Sequence, residues 1–140
     1  MQTYLTLFFL LAVAVMAFGC SGGPTSAGST HVVDPAQVQE LWIEGQHYLA
    51  QLGEAWTARG GAPIRGDVFA VKPSRFHFVA HDEPLTLLEE PVGGYFDAGT
   101  RSVHFYRPLM DGAIQHEVGH AVLYVLADPR WKCAFHANCQ

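Results

Sequence analysis

"DGAIQHEVGHAVLYVLADP", residues 111–129, is the stretch whose reading decides the fold. Asp111 reads as an N-cap and Pro129 as the stop of a helix predicted over 112–127. Ile114, Val118, Val122 and Val125 recur at helical spacing, and Leu123 and Leu126 widen the stripe. A helix this apolar is expected to be largely buried. It nevertheless carries His116, Glu117 and His120, an H-E-x-x-H pattern. Four residues of separation put two imidazoles on one helix face, one turn apart. From there both can reach one ion at about 2.0–2.1 Å. Glu117, offset by one position, faces a water on that ion rather than the ion itself. Zinc acidifies such a water and the glutamate takes its proton, so the spacing suits metal-assisted hydrolysis. A shuffled chain of this composition produces the pattern roughly 0.02 times, with a capped helix not yet required. Two histidines on a buried helix must also find partners, and one shared cation satisfies both.

Upstream, "DPAQVQELWIEGQHYLAQLGEAWTARGG", residues 34–61, predicts a long amphipathic helix over 35–58. Asp34 is its N-cap, Pro35 its first residue, and Gly60 with Gly61 its stop. Val38, Leu41, Trp42, Leu49, Leu52 and Trp56 form the stripe, expected to pack on a sheet. Strands are expected at 67–71 and 75–81, the second alternating with Phe76, Phe78 and Ala80 on one face. Residues 82–97 read mostly as loop, punctuated by Pro84, Pro91 and Gly93-Gly94. Residues 95–108 read as a hairpin turning at Asp97 to Gly99, with its second strand at 102–107. The fold class is therefore α+β: a long supporting helix, a small twisted and mostly antiparallel sheet, and a C-terminal helix bearing the histidines.

The 140 residues suffice for one domain. At 49 % hydrophobic and 15 % charged, the chain is too apolar to be disordered. Its formal net charge is −5 and it has no Lys/Arg run, which argues against a nucleic-acid surface. Residues 3–20, "TYLTLFFLLAVAVMAFGC", hold an apolar run of about 16 residues, where a membrane span needs about 20. That length suits the core of a secretory signal. The closing "AFGC" resembles a bacterial lipobox, which makes 1–19 a lipoprotein signal peptide and Cys20 the lipidated residue. The alternative is an uncleaved anchor. Either way the remainder lies outside the cytoplasm, in the bacterial cell envelope. Residues 20–33, rich in Gly and Ser, read as a flexible tether to a domain at 34–140. Of three cysteines, Cys133 and Cys139 then remain as a pair, and an oxidising compartment favours a disulfide between them. "CAFHANC" also sets His136 between two thiols, so metal binding is the rival reading there.

The H-E-x-x-H helix after a supporting helix and a sheet resembles the zincin metallopeptidases over roughly residues 34–127. More narrowly, the chain is similar to small bacterial lipoproteins that carry this motif near the C-terminus. The resemblance implies a zinc peptidase with a peptide or protein substrate. His116 and His120 would hold the metal and Glu117 would be the general base. Strand 102–107 would be the edge that pairs with an extended peptide, and Gly119 would leave room behind the helix.

A catalytic zinc needs a third protein ligand. No further His follows His120 at the metzincin spacing, and no glutamate follows Glu117 at all. His136 is favoured, because "ADPRWKCAFH" can turn back toward the metal and a Cys133–Cys139 bridge would fix that loop. Asp128 is the rival, although a continuous helix would put it about 12 Å from His120. Tyr124 is a candidate oxyanion donor or a core residue, and His104 and Tyr106 line the cleft or face solvent. With only about a dozen residues after 127, a shallow cleft is expected. A zinc-binding or structural lipoprotein without turnover is the alternative function.

Overall fold

A computed structural model describes residues 30–133 of the chain. The signal segment, Cys20, His136 and Cys139 lie outside the described residues. The elements run β1 (Thr30–Val32), α1 (Pro35–Ala58), β2 (His77–His81), β3 (Leu85–Leu87), β4 (Glu90–Val92), β5 (Gly94–Asp97), β6 (Ser102–Tyr106) and α2 (Met110–Val125), with short 3-10 turns between them. The architecture is mixed α+β. Among the described residues no helix is long and apolar enough to cross a membrane.

Helix α1 starts as its sequence dictates. The Asp34 carboxylate accepts from the Ala36 amide at 3.0 Å and Pro35 opens the first turn. Gly60, at φ +86°, takes the left-handed conformation that ends it. The buried face of α1 carries Val38, Leu41, Trp42, Gly45 and Leu49. It packs against α2 as well as on the sheet. Trp42 meets Phe76 at 5.2 Å and Phe78 at 6.0 Å between ring centroids. Gly45 allows the closest approach of the helices, since a Cβ there would stand 2.7 Å from Val118.

The main sheet has the order β1-β2-β6-β5. β1 pairs antiparallel with β2, β2 parallel with β6, and β5 antiparallel with β6. Phe78 and Ala80 of β2 and Val103 and Phe105 of β6 point into the core, where they meet Ile114, Val118, Val122 and Leu123 of α2. Full burial of a Val, Leu, Ile or Phe side chain such as Val103, Phe105 or Ile114 contributes about 1.5–3 kcal/mol.

Four expectations are corrected. Residues 67–71 form a 3-10 turn at Val68–Ala70 rather than a strand. Asp67 accepts from the Phe69 amide, and Trp42 and Gln46 of α1 take the carbonyls of Val68 and Val71. With those carbonyls bonded to helix side chains, no sheet partner is needed. Residues 85–92, read as loop, form the hairpin β3–β4, which turns through Leu88 and Glu89, both at positive φ and neither glycine. Thr30–Val32, assigned to the tether, form the strand β1. Strand 102–106 is not an edge: β6 lies between β2 and β5, and β5 is the outermost strand on that side.

Candidate active site

Helix α2 starts at Met110, one residue before the expected cap, because a 3-10 turn at Arg107–Leu109 leads directly into it. Its N-cap position is Leu109, which makes no side-chain cap hydrogen bond. The helix stops at Val125, and Ala127 then adopts φ +52°. The chain reverses into a 3-10 turn at Pro129–Lys132 that folds back along the helix.

That reversal carries the site. His116 and His120 point the same way, with their Nε2 atoms 3.0 Å apart. The Nδ1 of His120 meets the backbone carbonyl of Trp131. A carbonyl only accepts, so Nδ1 is the protonated nitrogen of His120 and Nε2 presents its lone pair. His120 is buried, whereas the His116 side chain is 34 % exposed and opens to the cleft.

Glu117 is 6 % exposed. Its Oε1 stands 3.9 Å from His116 Nε2. Burial pushes its carboxyl up to about 8, against a smaller opposing pull from the Phe96 backbone N–H of β5. A carboxyl with such a pKa can hold or release a proton near neutrality. Gly94 of β5 lies against it. A Cβ at residue 94 would stand 2.7 Å from the His104 carbonyl oxygen and 3.1 Å from Glu117 Cγ.

Above these residues lies an open cleft of about 860 Å³. Leu87 and Val92 of the β3–β4 hairpin form one wall, together with Leu109 and Met110. His116, Glu117 and His120 line it as well, and Trp131 bounds the far side. Among the described residues the hairpin ahead of α2 and the C-terminal segment both line it, the latter through Trp131 and Lys132.

The other candidates are placed as follows. Asp128 is fully buried and engaged elsewhere: Arg130 binds both its oxygens, at 2.8 and 2.6 Å, and the Arg65 and Arg130 amides donate to it. Burial pushes its carboxyl up, but these hydrogen bonds outweigh that and hold it below the ordinary carboxylate range. The Arg130 guanidinium also donates to the carbonyls of Ala62 and Pro63, so Asp128 clasps the α1–β2 connection and does not turn to the histidines. Among the described residues no third His, Cys, Asp or Glu joins His116 and His120. His136 and Cys139 lie outside that range. Cys133 is its last residue, two positions beyond the Trp131 carbonyl that holds His120. Gly119 is buried in α2.

Tyr124 packs its ring against Phe96 at 5.5 Å and Trp131 at 5.2 Å, in an aromatic cluster beside the site. His104 lies on the opposite face of β6 from Val103 and Phe105 and does not line the cleft. Two contributions had no local signal in the sequence. Gly94 appeared only as loop punctuation, and Trp131 acts through its backbone. Compared with known protein families, characterised proteins and solved structures, the chain matches none.

Proposed function

We propose that the chain is a zinc-dependent peptide-bond hydrolase of zincin type, tethered to a membrane outside the cytoplasm. The observation that carries this reading is the convergence of two imidazole nitrogens, 3.0 Å apart, with a buried carboxyl on the floor of an open cleft. Two ligands of a tetrahedral zinc lie about 3.3 Å apart at Zn–N distances of 2.0–2.1 Å, so the pair fits the ion. The Nδ1 anchor on a backbone carbonyl is the support that metal-binding histidines ordinarily have. His116 and His120 hold the ion in this reading, with His136 as third ligand. The return of residues 129–132 along α2 brings the chain to within a few residues of it. A Cys133–Cys139 bridge would fix that segment, and lipid on Cys20 would supply the anchor.

When bound, zinc supplies Lewis acidity toward the scissile carbonyl and a water molecule. Glu117 takes the proton of the attacking water and returns it to the departing amine. Its burial and the Phe96 N–H hold the carboxyl in one orientation through both transfers. An extended peptide lies along β5, the outermost strand beside the cleft, and pairs through its backbone. Leu87, Val92, Leu109 and Met110 offer apolar surface to one of its side chains.

The test is hydrolysis of an unstructured fluorogenic protein by the purified chain, beside Glu117→Gln and His136→Ala. Glu117→Gln is expected to keep zinc and lose turnover. His136→Ala is expected to lose zinc. Activity that survives Glu117→Gln rules this mechanism out.

A further inference from the structure

A second pair of imidazoles faces the other side of the sheet. Along β2 and β6, Phe78, Ala80, Val103 and Phe105 enter the core, so the alternation of a strand turns His81 and His104 the opposite way. β2 and β6 run parallel, with Val79 opposite His104 and His81 opposite Tyr106. The two histidines are therefore diagonal neighbours on one face. His81 Nε2 and His104 Nδ1 stand 2.9 Å apart, and the ring centroids 5.2 Å. The helix pair shows almost the same spacing, 3.0 Å between nitrogens and 4.9 Å between centroids.

The surroundings hold these rings in place. Tyr95 of β5, opposite His104 in register, stacks flat on its ring at 4.4 Å and 6°. His81 is only 4 % exposed. The neutral ring is the form that binds metals. Asp97, two residues beyond Tyr95, adds a negative charge near His104, while Gly99 and Thr100 hold its carboxylate.

We propose that His81 and His104 form a second divalent-metal site, independent of the His116–His120 centre, that takes an imidazole-seeking ion of the zinc, nickel or copper class. Among the described residues these two side chains supply the ligands, and water completes the coordination. Such an ion bridges β2 to β6, the one parallel pairing among the described strands. The competing account is a simple N–H···N hydrogen bond, which needs one proton and no metal.

Zinc alone is the probe, titrated against a chromophoric chelator with the full chain. Wild type is expected to bind two ions, His116→Ala/His120→Ala one, and that double variant with His104→Gln added none. The proposal is overturned if the double variant binds no zinc, or if adding His104→Gln leaves its stoichiometry unchanged. A check without substitutions guards against misfolding. In the wild type, the ¹⁵N resonances of His81 Nε2 and His104 Nδ1 should move together as the second equivalent of zinc is added. Resonances unmoved at two equivalents would reduce the pair to a hydrogen bond and sink the site. Neither readout depends on hydrolysis, so either site can fail without the other.

Discussion

His120 holds its Nε2 3.0 Å from that of His116 because its other nitrogen is tied to the carbonyl of Trp131, eleven residues further on. The two histidines are thus unequal. His116 opens to the cleft, whereas His120 is buried and links α2 to the segment that folds back over it. Both His116→Ala and His120→Ala are expected to abolish the stabilisation that this centre gives in zinc. With free zinc a hundredfold above its Kd, that stabilisation is about 2.7 kcal/mol. For a domain of this size each kcal/mol is about 4–8 °C in Tm. In chelator the variants should separate, with His120→Ala lower than His116→Ala by about 0.5–1.5 kcal/mol for the lost hydrogen bond. Calorimetric melts with and without zinc measure both effects. Equal zinc shifts in wild type and both variants would mean that the imidazoles share no ion.

Glu117 makes the metal-free protein pH-sensitive. Its carboxyl titrates near 8 in the fold, against 4.5 for the ordinary group. Between those values the native state holds a proton that the unfolded state has released. The contribution of Glu117 to stability is therefore greatest below about pH 4.5 and falls as pH rises toward 8. The slope is at most about 1.4 kcal/mol per pH unit, so the loss over the window is several kcal/mol. Urea denaturation in chelator at pH 5 and pH 8 should show this fall in wild type, and Glu117→Gln should remove most of it. An equal change in wild type and Glu117→Gln over that interval contradicts a carboxyl whose pKa is raised by burial.

The helices and the motif were legible in the sequence because their signals are local. Asp34-Pro35 caps α1 as read, Ile114, Val118, Val122 and Leu123 of the α2 stripe are buried as read while Val125 and Leu126 are partly so, and the four-residue spacing brings His116 and His120 together. What could not be read depends on partners distant in the chain. Residues 67–71 have strand composition, yet Gln46, more than twenty positions earlier, claims the Val68 and Val71 carbonyls. The β3–β4 turn uses Leu88 and Glu89 at positive φ, where turn chemistry leads one to expect glycine or asparagine. The edge strand was misassigned because pairing order is a property of the sheet. Both 94–97 and 102–106 alternate, and only the parallel pairing of β2 with β6 leaves β5 outermost.

Gly94 is expected to be intolerant of any side chain. An alanine Cβ would meet the His104 carbonyl oxygen at 2.7 Å and Glu117 Cγ at 3.1 Å. The carbonyl belongs to the β6 backbone and cannot swing aside, so β5 must move. Overpacking of this kind costs about 1–3 kcal/mol. A shift of β5 also carries the Phe96 N–H away from the carboxyl, so the pH profile in chelator should change along with the urea midpoint. Gly112 provides the contrast. Nothing lies within 4 Å of a Cβ there, and alanine in this helix is worth about 0.5–1 kcal/mol over glycine. Gly112→Ala should raise Tm. If Gly94→Ala melts like wild type, the close approach of β5 to Glu117 is wrong.

Gly45 sets two opposing effects against each other. In mid-helix α1, alanine gains about 1 kcal/mol of propensity over glycine. Its Cβ, however, would stand 2.7 Å from both Cβ and Cγ1 of Val118, which is fully buried. A β-branched side chain has no rotamer that withdraws its Cβ, so the helices must separate, at about 1–3 kcal/mol. Packing outweighs propensity, and Gly45→Ala should lower stability by about 1 kcal/mol. Gly53 in the same helix meets mainly the flexible Cδ1 end of Ile64, at 2.6 Å, and Gly53→Ala should be milder. Adding Val118→Gly to Gly45→Ala removes both the Cβ and the Cγ1 contact, so the pair should couple favourably by about 0.5–3 kcal/mol in a double-mutant cycle. Val118 directly follows Glu117, so the separation that Gly45→Ala imposes also displaces the carboxyl. Zinc affinity of the single variant should fall with its stability and recover in the double. Additive stabilities, with affinity unchanged throughout, would show that the α1–α2 contact does not position the centre.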